Sequence, residues 1–132
     1  MQELTVYGRP VPAARMTQRG KFVKRQAIRY MAYKDKVGWT AKEAGIKKSD
    51  RNVKLDIVIY LAGGRQGDWD NYGKSIADGL NGIAYIDDQQ VKEGRVSVKS
   101  CDSKHNERAE IIIQEIGGRQ YKERGVKSAK GG

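Results

Sequence analysis

The stretch Asn52–Leu61, with the sequence NVKLDIVIYL, constrains the fold of this chain more than any other segment. Every second side chain in it is apolar: Val53, Leu55, Ile57, Ile59 and Leu61. Successive side chains of a strand point to opposite faces, so this alternation predicts a strand with one face packed on a hydrophobic core. A chain of 132 residues is long enough for one domain built around such a core.

Weaker patterns predict the other elements. Alternating or β-branched residues indicate further strands at 3–7, 91–99 and 108–116, and apolar residues at intervals of three and four indicate helices at 26–44 and 70–80. We expect the last two strands to pair with each other through the polar turn at 102–106, and residues 15–25 to form a basic loop. The order of elements predicts an α+β fold, a single domain with a mixed or antiparallel sheet covered by helices.

The C-terminal end differs in composition from the rest of the chain. Residues 117–132 are rich in glycine and basic residues and have no apolar period. Segments of this composition bury too little apolar surface to fold independently. We therefore expect one domain at 1–116 followed by a basic, largely disordered tail at 117–132.

Two side-chain counts exclude several classes of protein. The single cysteine, Cys101, cannot form an internal disulfide, and with the single histidine, His105, it cannot supply the four ligands of a structural zinc site. The mean hydropathy of −0.75 and the absence of a run of about 20 apolar residues argue against a membrane span. The first ten residues do not resemble a secretory signal, so we expect a cytoplasmic protein.

Charge indicates the partner. The net charge of +10 favours an acidic partner such as nucleic acid or an anionic membrane surface. Residues 51–90, however, carry six acidic and only four basic side chains, between two basic flanks. Carboxylates repel phosphates, so an acidic centre suggests a cation held between protein and phosphate. The alternative is a solvated acidic surface.

The sequence GDWDNYGK carries the residues best suited to chemistry. Asp68 and Asp70 are two apart and share a face only if the chain there is extended, which the preceding glycines favour. Lys74 follows Asp70 by one helical turn. An ordinary reading also exists, in which Asp70 and Lys74 form a helix salt bridge and Asp68 or Asp70 caps the helix.

Two further patterns limit the kind of site. A calcium-binding loop that starts at Asp68 would need an oxygen ligand at Tyr72 and a glutamate at Gly79, so that interpretation fails. Downstream, Asp87 and Asp88 are adjacent, and adjacent side chains on an extended segment point in opposite directions. We expect only one of this pair to join any carboxylate cluster.

The segment DWDNYGKSIADGLNGIAYIDDQQV resembles the signature of the RusA family of Holliday junction resolvases. That signature is an Asp, any residue, Asp-Asn, a Lys four after the second Asp, a helix, and Asp-Asp-x-Gln-Val. The resemblance extends more weakly over residues 4–116. It implies a RusA-like fold and assigns catalysis to Asp68, Asp70, Lys74 and Asp88. Asp87 and Asn71 match as well, with less defined roles.

The chain departs from the family pattern at two points. Family members often carry a basic pair directly before the first motif Asp, where this chain has Gln66 and Gly67 and a single Arg65 further back. Trp69 is bulkier than the aliphatic residue usual between the two aspartates, and we expect it to anchor the core. Local contacts to DNA are therefore expected to differ.

The resemblance implies a crossover junction endodeoxyribonuclease that resolves four-way junctions by paired symmetric nicks in recombination and repair. Mg²⁺ accepts oxygen ligands alone, so we expect Asp68, Asp70 and Asp88 to hold one or two Mg²⁺. Lys74 would position water or stabilise transition-state charge. One domain with one carboxylate cluster cuts one strand, so two symmetric cuts require a homodimer on branched DNA.

Basic side chains on two segments are the candidates for phosphate contacts, although a solvated surface charge is the alternative for each: Arg15, Arg19, Lys21, Lys24, Arg25, Arg29, Arg95 and Lys99. Two other functions stay open. One is a non-catalytic branched-DNA-binding module with structural carboxylates. The other is a metal-dependent nuclease that acts on flaps or other branched DNA.

Overall fold

A computed structural model describes residues 1–14 and 21–123, with side chains at 1–14 and from residue 24 onward. The strands are β1 (Gln2–Tyr7), β2 (Asn52–Leu61), β3 (Val91–Ser100) and β4 (Arg108–Gly117). The α-helices are α1 (Lys21–Glu43) and α2 (Trp69–Leu80), and short 3₁₀ helices span Asp88–Gln90 and Lys104–Asn106. The predicted α+β class is confirmed.

The four strands form one mixed sheet in the order β1-β4-β2-β3. β3 is parallel to β2, whereas β4 is antiparallel to both β2 and β1. The predicted pairing of β3 with β4 is wrong, because β2 lies between them. The connection through α2 returns the chain to the start of β2, so β3 must run parallel to it. Residues 101–107 then cross the end of β2, where Cys101 N–H donates to the Leu61 carbonyl over 2.9 Å.

β2 is the centre of the core, as its alternation predicts. Its five apolar side chains are buried, and both α-helices pack on that face of the sheet. The helices contribute Tyr33, Val37 and Ala41 from α1 and Tyr72, Ile76 and Leu80 from α2. The opposite face of β2 carries half-buried side chains that alternate with the core set: Lys54, Asp56, Val58 and Tyr60.

The two helices cross closely at a glycine. A Cβ on Gly79 of α2 would lie 2.8 Å from Cβ of Val37 and 3.0 Å from the Lys34 carbonyl oxygen. α1 is also longer than its apolar period predicts, since it begins at Lys21 rather than near Gln26. Residues 21–25 therefore belong to a helix and not to the expected basic loop. Lys and Arg are good helix formers, which periodicity alone does not register.

Residues 118–123, which the composition assigns to the disordered tail, pack against the turn before β2. Tyr121 N–H donates to the Asp50 carbonyl over 2.7 Å, and its hydroxyl donates to Asn52 Oδ1 over 3.0 Å. Residues 124–132 lie outside the described residues, so the rest of that expectation stays a prediction. In the part of the chain that the structure describes, no helix is long and apolar enough to cross a membrane.

Candidate active site

The first two motif aspartates lie at the N-terminal end of α2. Asp68 is the residue before the helix, with extended backbone angles (φ −67°, ψ 137°), and Asp70 is the second residue inside it. Both side chains are exposed. The Asp68 carboxylate accepts no capping hydrogen bond, and among the described residues no ion pair joins Asp70 to Lys74. The structure therefore does not support the alternative interpretation, in which Asp68 caps the helix through its side chain and Asp70 pairs with Lys74. Both carboxylates are accessible.

An ion pair holds the loop that leads to Asp68. Arg9 lies after β1, and its guanidinium donates to Glu107 Oε2 over 2.5 Å and to the carbonyls of Gly63 and Arg65 over 3.0 and 2.9 Å. The same Glu107 oxygen accepts the Ala62 N–H over 2.9 Å. Glu107 is buried, and its pKa is lowered, first by the Ala62 N–H and then by the charge of Arg9. This pair fixes the path of the chain into the site.

Further contacts fix the start of α2. Gly67 N–H donates to the Tyr72 hydroxyl over 3.1 Å, and Ala13 N–H donates to the Asn71 carbonyl over 2.9 Å. Gly73 lies so close to β3 that an added Cβ would be 2.6 Å from Val96 Cγ2. The helix end that presents the two aspartates is thus held by the sheet and by the segment after β1.

An open groove of about 400 Å³ runs beside Asp68. Among the described residues its charged lining is mostly basic, with Arg9, Arg29 and Arg65 beside one carboxylate, that of Asp68. A groove with this balance attracts a phosphate and leaves a carboxylate at its edge. The structure thereby brings one of the predicted DNA-binding residues, Arg29, next to a predicted metal ligand.

The second acidic pair lies at the other end of α2, where the chain enters β3. The Asp87 carboxylate caps the 3₁₀ helix by accepting from Gln89 N–H over 3.0 Å. A hydrogen bond with the Asp87 carboxyl, followed by partial burial and the like charges of Asp87 and Asp78, raises the pKa of Asp88. The Asp88 side chain itself is exposed.

A buried amide shapes this turn. Gln90 Oε1 accepts the N–H groups of Ile86 and Asp87 over 2.7 and 2.9 Å, and its Nε2 donates to the carbonyls of Ser49 and Arg51 over 2.9 and 2.8 Å. All four hydrogen-bonding positions of the amide are therefore used. Gln90 is fully buried, so it ties the Asp87–Asp88 turn to the chain entering β2.

The structure does not bring Asp88 together with Asp68 and Asp70 within one chain. Asp68 follows the C-terminal end of β2, whereas Asp88 directly precedes β3, which runs parallel to β2, so the two lie at opposite ends of the sheet. Oxygen ligands of one Mg²⁺ lie within about 4 Å of each other, twice the metal–oxygen distance. Within residues 1–14 and 21–123, no three acidic, histidine or cysteine side chains are placed to share a metal. The expected single-chain cluster is not formed, and the roles of these residues stay predictions.

Two other motif residues are exposed. Lys74 lies one turn after Asp70 on the same side of α2, with its side chain in solvent. Trp69 is 60% exposed, so the expectation that it anchors the core is wrong. It occupies the first position of α2, where its side chain faces away from the sheet, and a core position is instead taken by Tyr72.

The predicted DNA-binding residues fall into separate groups. Lys24 and Arg25 are exposed near the start of α1, on the same helix as Arg29. Arg95 and Lys99 alternate with Val96, whose side chain meets α2, so they lie on the opposite face of the sheet from the aspartates. Arg15 and Arg19 lie outside the described residues, as does the side chain of Lys21.

Comparison with known proteins decides the family. The family model described as Endodeoxyribonuclease RusA matches residues 8–114, about four fifths of the chain. The chain belongs to this family. The resemblance inferred from the motif is thereby confirmed, and membership in the RusA family indicates an endodeoxyribonuclease whose substrate is DNA. A search of curated proteins found no match to the sequence.

Sequence reasoning missed three residues that shape this RusA-family site. Arg9 and Glu107 are far apart in the chain, and no periodic pattern marks an ion pair between them. Gln90 is part of the signature Asp-Asp-x-Gln-Val, so its presence there could have suggested a structural amide. Its four partners could not have been named without the structure.

Proposed function

We propose that the protein is a Mg²⁺-dependent endodeoxyribonuclease that resolves four-way DNA junctions by paired symmetric nicks, acting as a homodimer. The observation that carries the proposal is the pair of exposed, uncapped carboxylates, Asp68 and Asp70, held at one helix end beside a basic groove. The family match supports nuclease chemistry on DNA. The junction specificity, the metal and the dimer are the proposed parts.

The donor set at this helix end fits a hard divalent cation. Asp68 and Asp70 offer carboxylate oxygens and no nitrogen or sulfur ligands, which suits Mg²⁺ better than zinc or copper. We assign these two residues and Asp88 as the metal ligands. The bound metal would supply charge relief at the scissile phosphate and a water activated at neutral pH.

The protein's own groups then position the DNA and the water. The N-terminal end of α2 borders the groove through Asp68 and Asn71, and the positive end of its dipole favours a phosphate there. Lys74 holds a positive charge one turn from Asp70 and stabilises the charge that develops on the phosphate. Arg9 and Glu107 act on Asp68 through the loop between them and serve as positioning residues.

A dimer explains how three separated aspartates can act together. Within one chain, Asp70 and Asp88 are kept apart by most of the length of α2. A two-fold axis that places one protomer's Asp88 against its partner's Asp68 and Asp70 would complete two identical sites at once. Two sites related by that axis match the two symmetric strands that must be cut in a four-way junction. We therefore propose that each site is composite.

The basic groove is assigned to the DNA arm that enters the site. Arg29 and Arg65 line it beside Asp68, and Lys24 and Arg25 extend the basic surface along α1. Each phosphate contact releases counterions. The logarithm of the binding constant should therefore fall by about 0.9 per contact for each tenfold increase in salt concentration. Arg95 and Lys99, on the other face of the sheet, are assigned to a different arm of the junction.

The direct test is cleavage of a synthetic mobile four-way junction with each strand labelled in turn. With Mg²⁺ we expect nicks at symmetric positions on two opposing strands, and with EDTA we expect binding without cleavage. Linear duplex DNA of the same sequence is the control substrate and should stay intact. Absence of nicks in Mg²⁺ together with metal-independent binding would instead support a non-catalytic branched-DNA module.

A competition assay separates the remaining alternative. A labelled junction is mixed with an equal concentration of an unlabelled flap substrate that has the same arm lengths. A junction resolvase keeps its rate of junction cleavage and leaves the flap intact. Preferential cleavage of the flap would assign the protein to nucleases of other branched DNA.

A further inference from the structure

A cavity of about 480 Å³ lies at the Asp88 end of α2. One wall is the turn that contains Asp87 and Gln89, and the other wall is the C-terminal segment 118–123. That segment lies beyond residues 8–114, which match the RusA family. The cavity is therefore formed between the Asp-Asp-x-Gln-Val part of the motif and a part of this chain that lies outside the family match.

The C-terminal segment is fixed in place by contacts at several points. Tyr121 is bonded through its N–H and its hydroxyl to Asp50 and Asn52, and the Gln120 amide donates to the Asp50 carboxylate over 2.8 Å. Arg51 donates to the Gly118 carbonyl over 3.1 Å. Gly118 has a φ of +86°, and a Cβ there would collide with the Asn52 side chain. The wall is a defined surface and not merely a flexible arm.

The charges that face this cavity leave it basic. Among the described residues, the lining has three basic side chains, of which Lys48 is paired with Glu123 over 2.7 Å. Arg119 and Lys122 are exposed and make no ion pair among the described residues. The other acidic group, Asp87, is engaged with Gln89 N–H and with the Asp88 carboxyl. Two cationic side chains thus remain available to an anion.

The arrangement of Arg119 also suits a phosphate. Its guanidinium lies 4.6 Å from the centroid of the Tyr121 ring, and this ring is anchored by the bonds to Asp50 and Asn52. A guanidinium stacked on a fixed ring loses less conformational freedom when it binds, and its fork of N–H groups matches two phosphate oxygens. Polar side chains dominate the rest of the lining, which favours a phosphodiester backbone over an apolar ligand.

We propose that Arg119 and Lys122, held by the docked segment 118–123, form a phosphate-binding groove for the DNA strand that passes Asp88. The inference rests on the proposed function, in which Asp88 completes the metal site of the partner protomer. The groove gives the Asp88 end of α2 a DNA contact of its own. In each composite site, both the protomer that supplies Asp68 and Asp70 and the protomer that supplies Asp88 then bind the DNA. It also gives the C-terminal segment a role in substrate binding.

The test measures binding of the four-way junction by the full-length protein in EDTA across a series of salt concentrations. The double variant Arg119→Ala/Lys122→Ala removes two phosphate contacts, so the slope of log affinity against log salt should fall in magnitude by about 2. The matched double variant Lys42→Ala/Lys104→Ala removes the same charge at exposed sites outside the cavity. We expect its slope to change by less than about 0.5. Equal changes in both variants would overturn the proposal.

A second variant separates a defined groove from a basic tail. Asn52→Ala removes the acceptor of the Tyr121 hydroxyl and leaves every basic residue in place. We expect junction affinity to fall by about threefold or more because Arg119 loses its fixed platform. Wild-type affinity in Asn52→Ala, with thermal unfolding unchanged, would overturn the defined groove.

Failure of this inference is distinguishable from failure of the proposed function. If the proposed function fails, the wild-type protein does not nick the junction in Mg²⁺. If the inference fails, the wild-type protein nicks the junction while Arg119→Ala/Lys122→Ala binds it with the wild-type salt slope.

Discussion

The two ends of α2 hold their aspartates in opposite ways. At the N-terminal end, Asp68 and Asp70 are exposed, accept no cap and form no ion pair with Lys74 in the described part of the chain. At the C-terminal end, the Asp87 carboxylate caps a 3₁₀ turn, and the neighbouring Asp87 carboxyl raises the pKa of Asp88. One end offers carboxylates that are free to bind a cation, whereas the other offers a preformed pair.

This difference indicates which aspartates provide most of the affinity for a metal ion. Exposed carboxylates that accept no capping hydrogen bond keep their oxygens available to a hard divalent cation. At the other end, the Asp87 carboxylate already accepts a hydrogen bond from Gln89 N–H, and the like charges of Asp87 and Asp78 raise the pKa of Asp88. We infer that the N-terminal end supplies most of the metal affinity and that Asp88 joins only when the partner brings it there.

The largest effect is expected from loss of a carboxylate at the N-terminal end. Asp70→Asn should lower junction nicking by more than about 100-fold, since even residues that only support metal ligands often account for 10- to 100-fold. Binding in EDTA should stay within about twofold of wild type, because binding depends on phosphate contacts. Nick mapping in Mg²⁺ and a binding titration measure the two quantities. Asp35→Asn, an exposed change on α1 outside the groove beside Asp68, is the control.

A mixing experiment tests whether the two ends belong to one site. Asp70→Asn and Asp88→Asn are each expected to be inactive. In a heterodimer purified through two different tags, a composite arrangement leaves one site with both mutations and one site with neither. Such a heterodimer should regain about half of the wild-type nicking rate and cut one strand per junction. If each chain used its own three aspartates, the heterodimer would be as inactive as the parent variants.

The C-terminal end should be sensitive to the chemistry of Gln90. Gln90→Glu keeps the shape but replaces the donor to the Ser49 and Arg51 carbonyls with a buried carboxylate oxygen. Unfolding free energy should fall by about 2–5 kcal/mol, because donors are lost and a charge is buried. Denaturant unfolding measures this change. Gln114→Glu, on the half-exposed face of β4, should change stability by less than about 0.5 kcal/mol.

The smallest effect concerns the ion pair behind the N-terminal end. Because the folded state lowers the pKa of Glu107, its ionised form stabilises the fold above the ordinary value of 4.5, and this stability is lost as the pH falls through the lowered value. Glu107→Gln should therefore lower the Tm at pH 7, and its gap from wild type should narrow in acid. Glu93→Gln, an exposed change on β3, should show no such narrowing.

Local patterns predicted most of the fold. The strand Asn52–Leu61 was predicted with its observed bounds, and α2 differs from the prediction by one residue. Strand pairing could not be predicted in the same way, because β2 accepts partners on both edges and nothing in β3 or β4 specifies which edge each takes. The length of α1 was underestimated because three of its first five residues are basic, and these were assigned to the preceding loop.

In the candidate site, too, local spacing predicted some features and tertiary packing determined the others. The motif spacing identified Asp68, Asp70 and Lys74, and the structure places them within two turns at one helix end. The distance from Asp70 to Asp88 depends on how α2 lies between two parallel strands, which spacing does not encode. The exposure of Trp69 was missed for a related reason, since it depends on which side of the first helical turn meets the sheet.

The length of α2 would set the distance between the two cleavage sites of a dimer. A helix of 12 residues that connects β2 to β3 and packs on the sheet, with Gly73 against Val96 and Gly79 against Val37, cannot stretch or rotate freely. If two copies assemble through its ends, the spacing between their two cutting centres is set by a rigid rod and not by flexible loops. Inserting a single residue would turn one end of the helix by about 100° relative to the other. The two cuts would then no longer fall at symmetric positions on the two strands.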